Sequence, residues 1–121
     1  MDNRIDIVNV NGTELKYGWF DMEMRKKYIE ASAKYAKAID DLNAGLPETF
    51  DENQEIDYYT RVCELTFALF DETFGKGTAD KVFGGLHDFI VCSEAVRALK
   101  NSRLKQQKYV EQLNVDANVE K

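Results

Sequence analysis

Apolar and polar residues alternate over most of the first twenty positions, the period-two pattern of paired β-strands. The dipeptide Asn11-Gly12 interrupts the alternation and favours a type I′ turn, whose two central residues need positive φ. We therefore predict a β-hairpin within residues 4–19. The two-residue loop sets a register of three alternate pairs: Val10 with Thr13, Val8 with Leu15, and Asp6 with Tyr17. One apolar face of the hairpin then carries five side chains: Val8, Val10, Leu15, Tyr17 and Trp19.

Two long segments with helical periodicity follow the hairpin. The first begins near Asp21 as N-cap and ends at Gly45 and Pro47. Its apolar stripe consists of Met24, Tyr28, Ala31, Tyr35, Ile39 and Leu42. The second helix is predicted from about Gln54 to Phe74. Its predicted buried stripe consists of Ile56, Tyr59, Val62, Cys63, Thr66, Leu69 and Phe70.

Two further helices complete the expected fold. Thr78 is predicted to cap a short helix over residues 79–83, which Gly84-Gly85 ends. The last helix is predicted to begin near Leu86, with apolar positions at Phe89, Ile90, Cys92, Val96 and Leu99. Residues 114–121 are expected to form a mobile tail on a single domain of residues 1–113. The fold class is α+β, mainly α: an N-terminal hairpin packed on three main helices and one short helix.

Composition indicates a globular chain. The 121 residues carry a formal net charge of −6, which argues against a general nucleic-acid binder because phosphate binding needs surplus cations. Apolar runs are too short to cross a bilayer, and the N-terminus has no secretory signal pattern. We expect a cytoplasmic protein without membrane contact, in which Cys63 and Cys92 are buried and reduced.

Charge is unevenly distributed along the chain. Residues 40–80 contain eleven acids and two bases, whereas residues 97–108 contain five bases and no acid. The basic stretch has three possible roles: complementing the acidic middle or its own helix end, contacting an acidic partner or a second copy, or binding nucleic acid weakly.

The sequence motifs that could indicate catalysis or ion binding are better explained as structural features. His87 and Cys92 lie on different faces of a helix, so a Cys-His nucleophile is not supported. The acids of residues 51–57 resemble a calcium loop but lack its glycine and its final acid, so we interpret them as a capped helix N-terminus. The stretch of residues 75–78 departs from a phosphate loop and is interpreted as helix caps. We expect no metal site, no cofactor and no catalytic residue.

Tyr58 and Tyr59 are adjacent on one helix and cannot easily both face inward. At least one of them is therefore expected at the surface, where tyrosine is favoured in protein interfaces.

Two segments carry a family resemblance. Val10–Gly18 (Val-Asn-Gly-Thr-Glu-Leu-Lys-Tyr-Gly) leads into an amphipathic helix, and Phe74–Gly85 (Phe-Gly-Lys-Gly-Thr-Ala-Asp-Lys-Val-Phe-Gly-Gly) ends the central one. Over about residues 5–100 the chain resembles the tail assembly chaperones encoded by phages and prophages of Gram-positive bacteria. This resemblance implies a non-enzymatic protein that self-associates and binds the tape measure protein while the tail tube polymerises.

We predict a homo-oligomer that contacts its protein partner through the hairpin edge, apolar helix margins and the basic stretch. The predicted contact residues are Trp19, Phe20, Tyr58, Tyr59, Arg97, Lys100 and Arg103. Two other functions stay open: a structural virion component such as a head-tail connector or neck subunit, and an acidic regulatory protein that binds a DNA-binding factor.

Overall fold

The computed structural model describes the backbone of residues 2–119 and the side chains of residues 2–114. It begins with the antiparallel hairpin of strands β1 (Asp6–Val10) and β2 (Thr13–Tyr17). The register is the predicted one, including Val8 opposite Leu15. The turn residues Asn11 and Gly12 have φ values of 49° and 79°, as a type I′ turn requires. The hairpin prediction is confirmed.

Two long antiparallel helices follow, α1 (Met22–Ala44) and α2 (Glu52–Phe74). The Asp21 side chain caps α1 by accepting from two backbone N–H groups. At α2, Asp51 and Gln54 form a reciprocal capping box. The acids of residues 51–57 therefore begin a helix, as predicted.

In the second half of the chain, glycines and one aspartate set the boundaries of the helices. Helix α3 (Thr78–Phe83) begins after Gly77 and ends at Gly84 in left-handed conformation. The prediction that Thr78 caps α3 is wrong, because its hydroxyl donates backwards to the Gly75 carbonyl at 2.7 Å. Helix α4 (Phe89–Val119) begins three residues later than predicted. The Asp88 carboxylate accepts from two N–H groups of its first turn and so sets this start.

Helix α4 continues through Val119. The prediction of a mobile tail over residues 114–121 falls largely outside the described side chains and stays a prediction. None of the helices within residues 2–119 combines the length and apolarity needed to span a lipid bilayer.

The core draws side chains from the hairpin and from all four helices. Phe70 of α2 is fully buried, against the rings of Phe74 and Phe83. The mainly α fold, with the hairpin packed on three main helices and one short helix, agrees with the prediction.

Trp19 joins the hairpin to the rest of the core. Its backbone N–H donates to Gln106 Oε1 at 2.8 Å, and its indole Nε1 donates to Ser102 Oγ at 2.7 Å. The Ser102 hydroxyl in turn donates to Asp6 Oδ2 at 2.5 Å, and Lys105 lies 3.3 Å from the other oxygen of that carboxylate. This buried polar chain fixes the N-terminal hairpin to the middle of α4.

Candidate protein-interaction surface

Four exposed large apolar side chains lie near the starts of α2 and α4. Ile56 and Ile90 are 62% and 67% exposed, and Tyr59 and Phe89 are 37% and 39% exposed. The rings of Tyr59 and Phe89 pack with their centroids 4.5 Å apart, which joins the two helices into one surface. We call these four residues the α2–α4 surface. Exposed apolar side chains that pack across two helices, as Tyr59 and Phe89 do, are typical of a protein-binding site.

The positions at which α2 and α4 begin explain why these side chains are exposed. Helix α4 begins at Phe89, opposite Tyr59, so the turn of α2 that carries Ile56 precedes the start of α4. One turn further along α2, Cys63 is 1% exposed because α4 now covers it. The same apolar stripe of α2 is therefore exposed at its beginning and buried from Val62 onward.

The predicted burial of Ile56 and Tyr59 is thus wrong. Periodicity identifies the face of a helix on which apolar residues lie, but not how far the neighbouring helix extends. The prediction that at least one of Tyr58 and Tyr59 lies at the surface is confirmed by Tyr59.

Exposed acidic side chains lie on the same two helix starts as the α2–α4 surface. Glu52 and Glu55 lie in the first turn of α2, and Glu94 lies in the second turn of α4, all three exposed. On a helix of 3.6 residues per turn, Glu52 is on the same face as Ile56, and Glu94 is on the face of Ile90. An apolar patch with an acidic rim favours a partner whose apolar side chains are flanked by Lys or Arg.

A basic stripe runs along the exposed face of α4. Arg97, Lys100 and Lys108 are exposed, and Leu104 on the same face is 39% exposed. Within the described side chains, none of these three cations lies within ion-pair distance of a carboxylate. We call these four residues the basic stripe.

The other two bases of residues 97–108 differ from these three, since one is half-buried and one forms an ion pair. Arg103 is half-buried, and its Nε atom has no hydrogen-bond partner among the described residues. Lys105 pairs with Asp6 of β1. Of the predicted contact residues on α4, Arg97 and Lys100 are thus presented to solvent, whereas Arg103 is only partly so.

The remaining predicted contact residues are dispersed. Trp19 is 1% exposed in the core, so its side chain is not part of any surface. Phe20 is half-buried beneath the Arg25 guanidinium, which lies 4.8 Å from the ring centroid. Tyr58 donates to Asn43 Oδ1 at 2.6 Å and so links α2 to α1. Sequence reasoning predicted Tyr59 as a contact residue but did not include Ile56, Phe89 or Ile90, although Asp88 is a recognisable N-cap for an α4 that starts at Phe89.

Open grooves lie away from this surface, and two of them are described by their lining residues. One, of about 510 Å³, separates the N-terminal segment from α4 and is lined by Ile5, Phe20 and Val110 among others. The second, of about 540 Å³, lies between the end of α1 and the start of α2, around Leu42 and Tyr58. Neither contains His87, the chain's one histidine.

His87 lies in the turn before α4, as expected. Its Nδ1 is 3.0 Å from the Gly85 carbonyl oxygen, and its ring packs edge-on against Phe67. Cys92 is buried while His87 is exposed, so the two side chains do not form a nucleophilic pair. The described residues contain no cluster of His, Cys, Asp and Glu side chains suited to a metal ion.

Cys63 and Cys92 are both buried free thiols, as predicted. Burial, with a hydrogen bond to Cys63, raises the pKa of Cys92 to about 12. Burial likewise raises the pKa of Tyr17 to about 12, with a smaller contribution from the Asp21 carboxylate. The Tyr17 hydroxyl donates to the Met24 carbonyl oxygen in the folded chain.

These two raised pKa values predict a loss of stability in alkali. Both groups are neutral when protonated, so the stability they contribute is complete below their unfolded pKa values of 9.0 and 10.0. It is lost as the pH rises towards 12, because only the unfolded chain ionises readily. Urea unfolding at a series of pH values should show a falling midpoint above pH 9. Cys92→Ala should flatten this dependence, and a midpoint that stays constant up to pH 12 would contradict the assignment.

A comparison with protein families matches residues 11–120, which is nearly the whole chain, to the family described as "Family of unknown function (DUF6673)". The chain belongs to this family. The matched range contains the second strand, all four helices and every residue of the α2–α4 surface and the basic stripe. No curated protein and no solved structure matches the chain.

Proposed function

We propose that this protein is a non-enzymatic binding protein of the tail assembly chaperone kind. It holds an amphipathic helical segment of the tape measure protein in the host cell cytoplasm while the tail tube polymerises. The α2–α4 surface is the client site in this proposal. The sequence resemblance supports the tape measure protein as client, and the exposed apolar side chains of α2 and α4 support the proposed site.

The exposure of Ile56, Tyr59, Phe89 and Ile90 near the starts of α2 and α4, with Tyr59 and Phe89 in contact, is the observation that carries the proposal. A helical client that presents apolar residues at positions i, i+3, i+4 and i+7 can pack along such a surface. Ile56 and Ile90 would insert between client side chains, and the Tyr59–Phe89 pair would supply the rigid aromatic contact that protein interfaces favour.

Charge supports the same role. Glu52, Glu55 and Glu94 around the patch would pair with basic residues beside the client's apolar stripe. The net charge of −6 would keep a complex with an apolar client in solution.

Co-expression with the tape measure protein encoded by the same phage tests the proposal. We expect the two chains to copurify and the soluble yield of the tape measure protein to rise. Ile56→Glu combined with Ile90→Glu should abolish copurification, because a charge in the centre of the patch opposes apolar contact.

Ile29→Glu is the matched control, because Ile29 of α1 is also an exposed isoleucine, 52% accessible, away from the patch. This variant should copurify like the wild type. Equal recovery with all variants, or a tape measure protein that is equally soluble alone, would contradict the proposal. Stoichiometric presence of this chain in purified particles would instead identify a structural virion component.

A second candidate function is favoured by the acids of residues 40–80, nearly all of which are exposed. An acidic regulatory protein could use them to cover the basic surface of a DNA-binding factor. Capture of such a factor that survives Ile56→Glu and Ile90→Glu but is lost in high salt would support this alternative.

A further inference from the structure

We propose that Cys63 and Cys92 are a peroxide-sensitive thiol pair, which a hydroperoxide converts into an intrachain disulfide between α2 and α4. The chain has no other cysteine. Each of the two side chains is 1% exposed, and the Cys92 thiol is hydrogen-bonded to the Cys63 thiol across the helix interface. The two sulfur atoms are thus already neighbours in the reduced protein.

The positions of the cysteines on their helices support this pairing. Tyr59 lies four residues before Cys63, Phe89 lies three residues before Cys92, and the two rings are 4.5 Å apart. A step of three or four residues is about one helical turn, so the cysteines face each other one turn beyond the ring contact. The next buried residue of α4, Ala95, is also small, which favours a short distance between the helices.

Neither thiol is open to a dissolved oxidant in the closed fold, so one of them must first become exposed. The Cys92 N–H donates to the Asp88 carbonyl oxygen at 3.0 Å and so closes the first turn of α4. Gly84 and Gly85, both at positive φ, precede this turn. Cys63 instead lies in the middle of α2. Because helix ends open more readily than helix centres, Cys92 is the thiol that meets the oxidant first.

The reaction is a two-electron oxidation in two steps. The Cys92 thiolate attacks one oxygen of the hydroperoxide, which breaks the O–O bond and gives a sulfenic acid; the leaving oxygen takes up the thiol proton as water or an alcohol. When the turn closes, the Cys63 thiol attacks the sulfenic sulfur. The S–S bond forms, and the hydroxyl group leaves as water with the Cys63 proton. The hydroperoxide is thereby reduced, and the two thiols are oxidised.

Counting free thiols after treatment with hydrogen peroxide tests the pair. Labelled in urea after removal of the peroxide, the untreated protein should bind two N-ethylmaleimide groups and the treated protein none. Dithiothreitol should restore both thiols, and the product should migrate as a single chain on a non-reducing gel. The inference is overturned by two labels at a peroxide concentration that oxidises the unfolded chain, by irreversible oxidation, or by a disulfide between two chains.

Two single-cysteine variants test which thiol reacts first. Cys63→Ala leaves the sulfenic acid of Cys92 without a partner, so dimedone should label it. Cys92→Ala should stay unlabelled, because Cys63 remains covered in the middle of α2. Equal labelling of the two variants would contradict this order, and circular dichroism checks that both remain helical.

The helix cap of α4 provides a test that leaves both cysteines in place. The Asp88 carboxylate caps this helix, so Asp88→Ala should speed disulfide formation about fivefold, as expected for the loss of a cap. Asp21→Ala removes the equivalent cap from α1 and is the matched control, with an unchanged rate. Equal acceleration by both variants would show that oxidation follows general unfolding, and would overturn the inference.

The disulfide should also make the chain harder to unfold, because it closes a loop that contains the end of α2 and all of α3. The urea midpoint, followed by the fluorescence of Trp19, should rise on oxidation and return to its first value with dithiothreitol. A lower midpoint for the oxidised protein would overturn the inference, since the bond would then distort the contact between the two helices.

Discussion

Replacing Trp19 with Ala should lower the free energy of unfolding by about 3–5 kcal/mol, the range expected when a buried Trp is truncated. The indole is 1% exposed and contacts the rings of Tyr17 and Tyr28 at centroid distances of 4.6 and 4.9 Å. Its loss leaves a cavity and removes the donor to Ser102. Urea unfolding followed by far-ultraviolet circular dichroism measures the change, since the variant has no tryptophan fluorescence.

Trp19→Phe separates the two contributions. It keeps an aromatic ring in the core but cannot donate to the Ser102 oxygen. The decrease in the free energy of unfolding should therefore be smaller for Trp19→Phe than for Trp19→Ala. Equal unfolding midpoints for Trp19→Ala and the wild type would show that the indole does not hold the hairpin on α4.

Phe70→Ala should have an effect of similar size, about 3–5 kcal/mol. Phe70 has no exposed surface, and its ring lies 5.2 Å from that of Phe83 and 5.7 Å from that of Phe74. Truncation therefore removes contacts between α2 and α3 in a region that cannot easily collapse. Fluorescence of Trp19, the single tryptophan, reports the unfolding midpoint.

Phe50→Ala is the matched control, because it makes the same chemical change at a residue that is 38% exposed in the loop before α2. Its effect should be within about 1 kcal/mol. If Phe70→Ala were as stable as Phe50→Ala, the packing of Phe70 against Phe74 and Phe83 would not contribute to the stability of the fold.

The hairpin and the helices could be predicted because their determinants are local. Asn11-Gly12 specifies its turn by conformational preference alone, and Asp21 and Asp51 satisfy backbone N–H groups within their own first turns. Such signals act over a few residues and depend little on the rest of the fold. The element order therefore follows from the sequence.

The candidate surface could not be predicted in the same way. Whether Ile56 is buried depends on the position at which α4 starts relative to α2. The apolar periodicity of α2 gives no information on that position. Trp19 shows the converse case: a large aromatic at the end of a hairpin was expected at a contact surface, but Ser102 and Gln106 provide hydrogen-bond partners for it inside the protein. These partners are more than eighty residues away along the chain.

That separation has a consequence for synthesis of the protein on the ribosome. Trp19 finds its hydrogen-bond partners only at Ser102 and Gln106, so the first two strands cannot dock on the last helix until that part of it has been translated. At roughly 5–20 residues per second, the nascent hairpin waits for several seconds before its contact with the last helix can form. A two-stranded hairpin is at best marginally stable in water, so it should be among the last parts of the newborn chain to become ordered. Emergence of the final helix from the exit tunnel then sets the moment at which folding is completed.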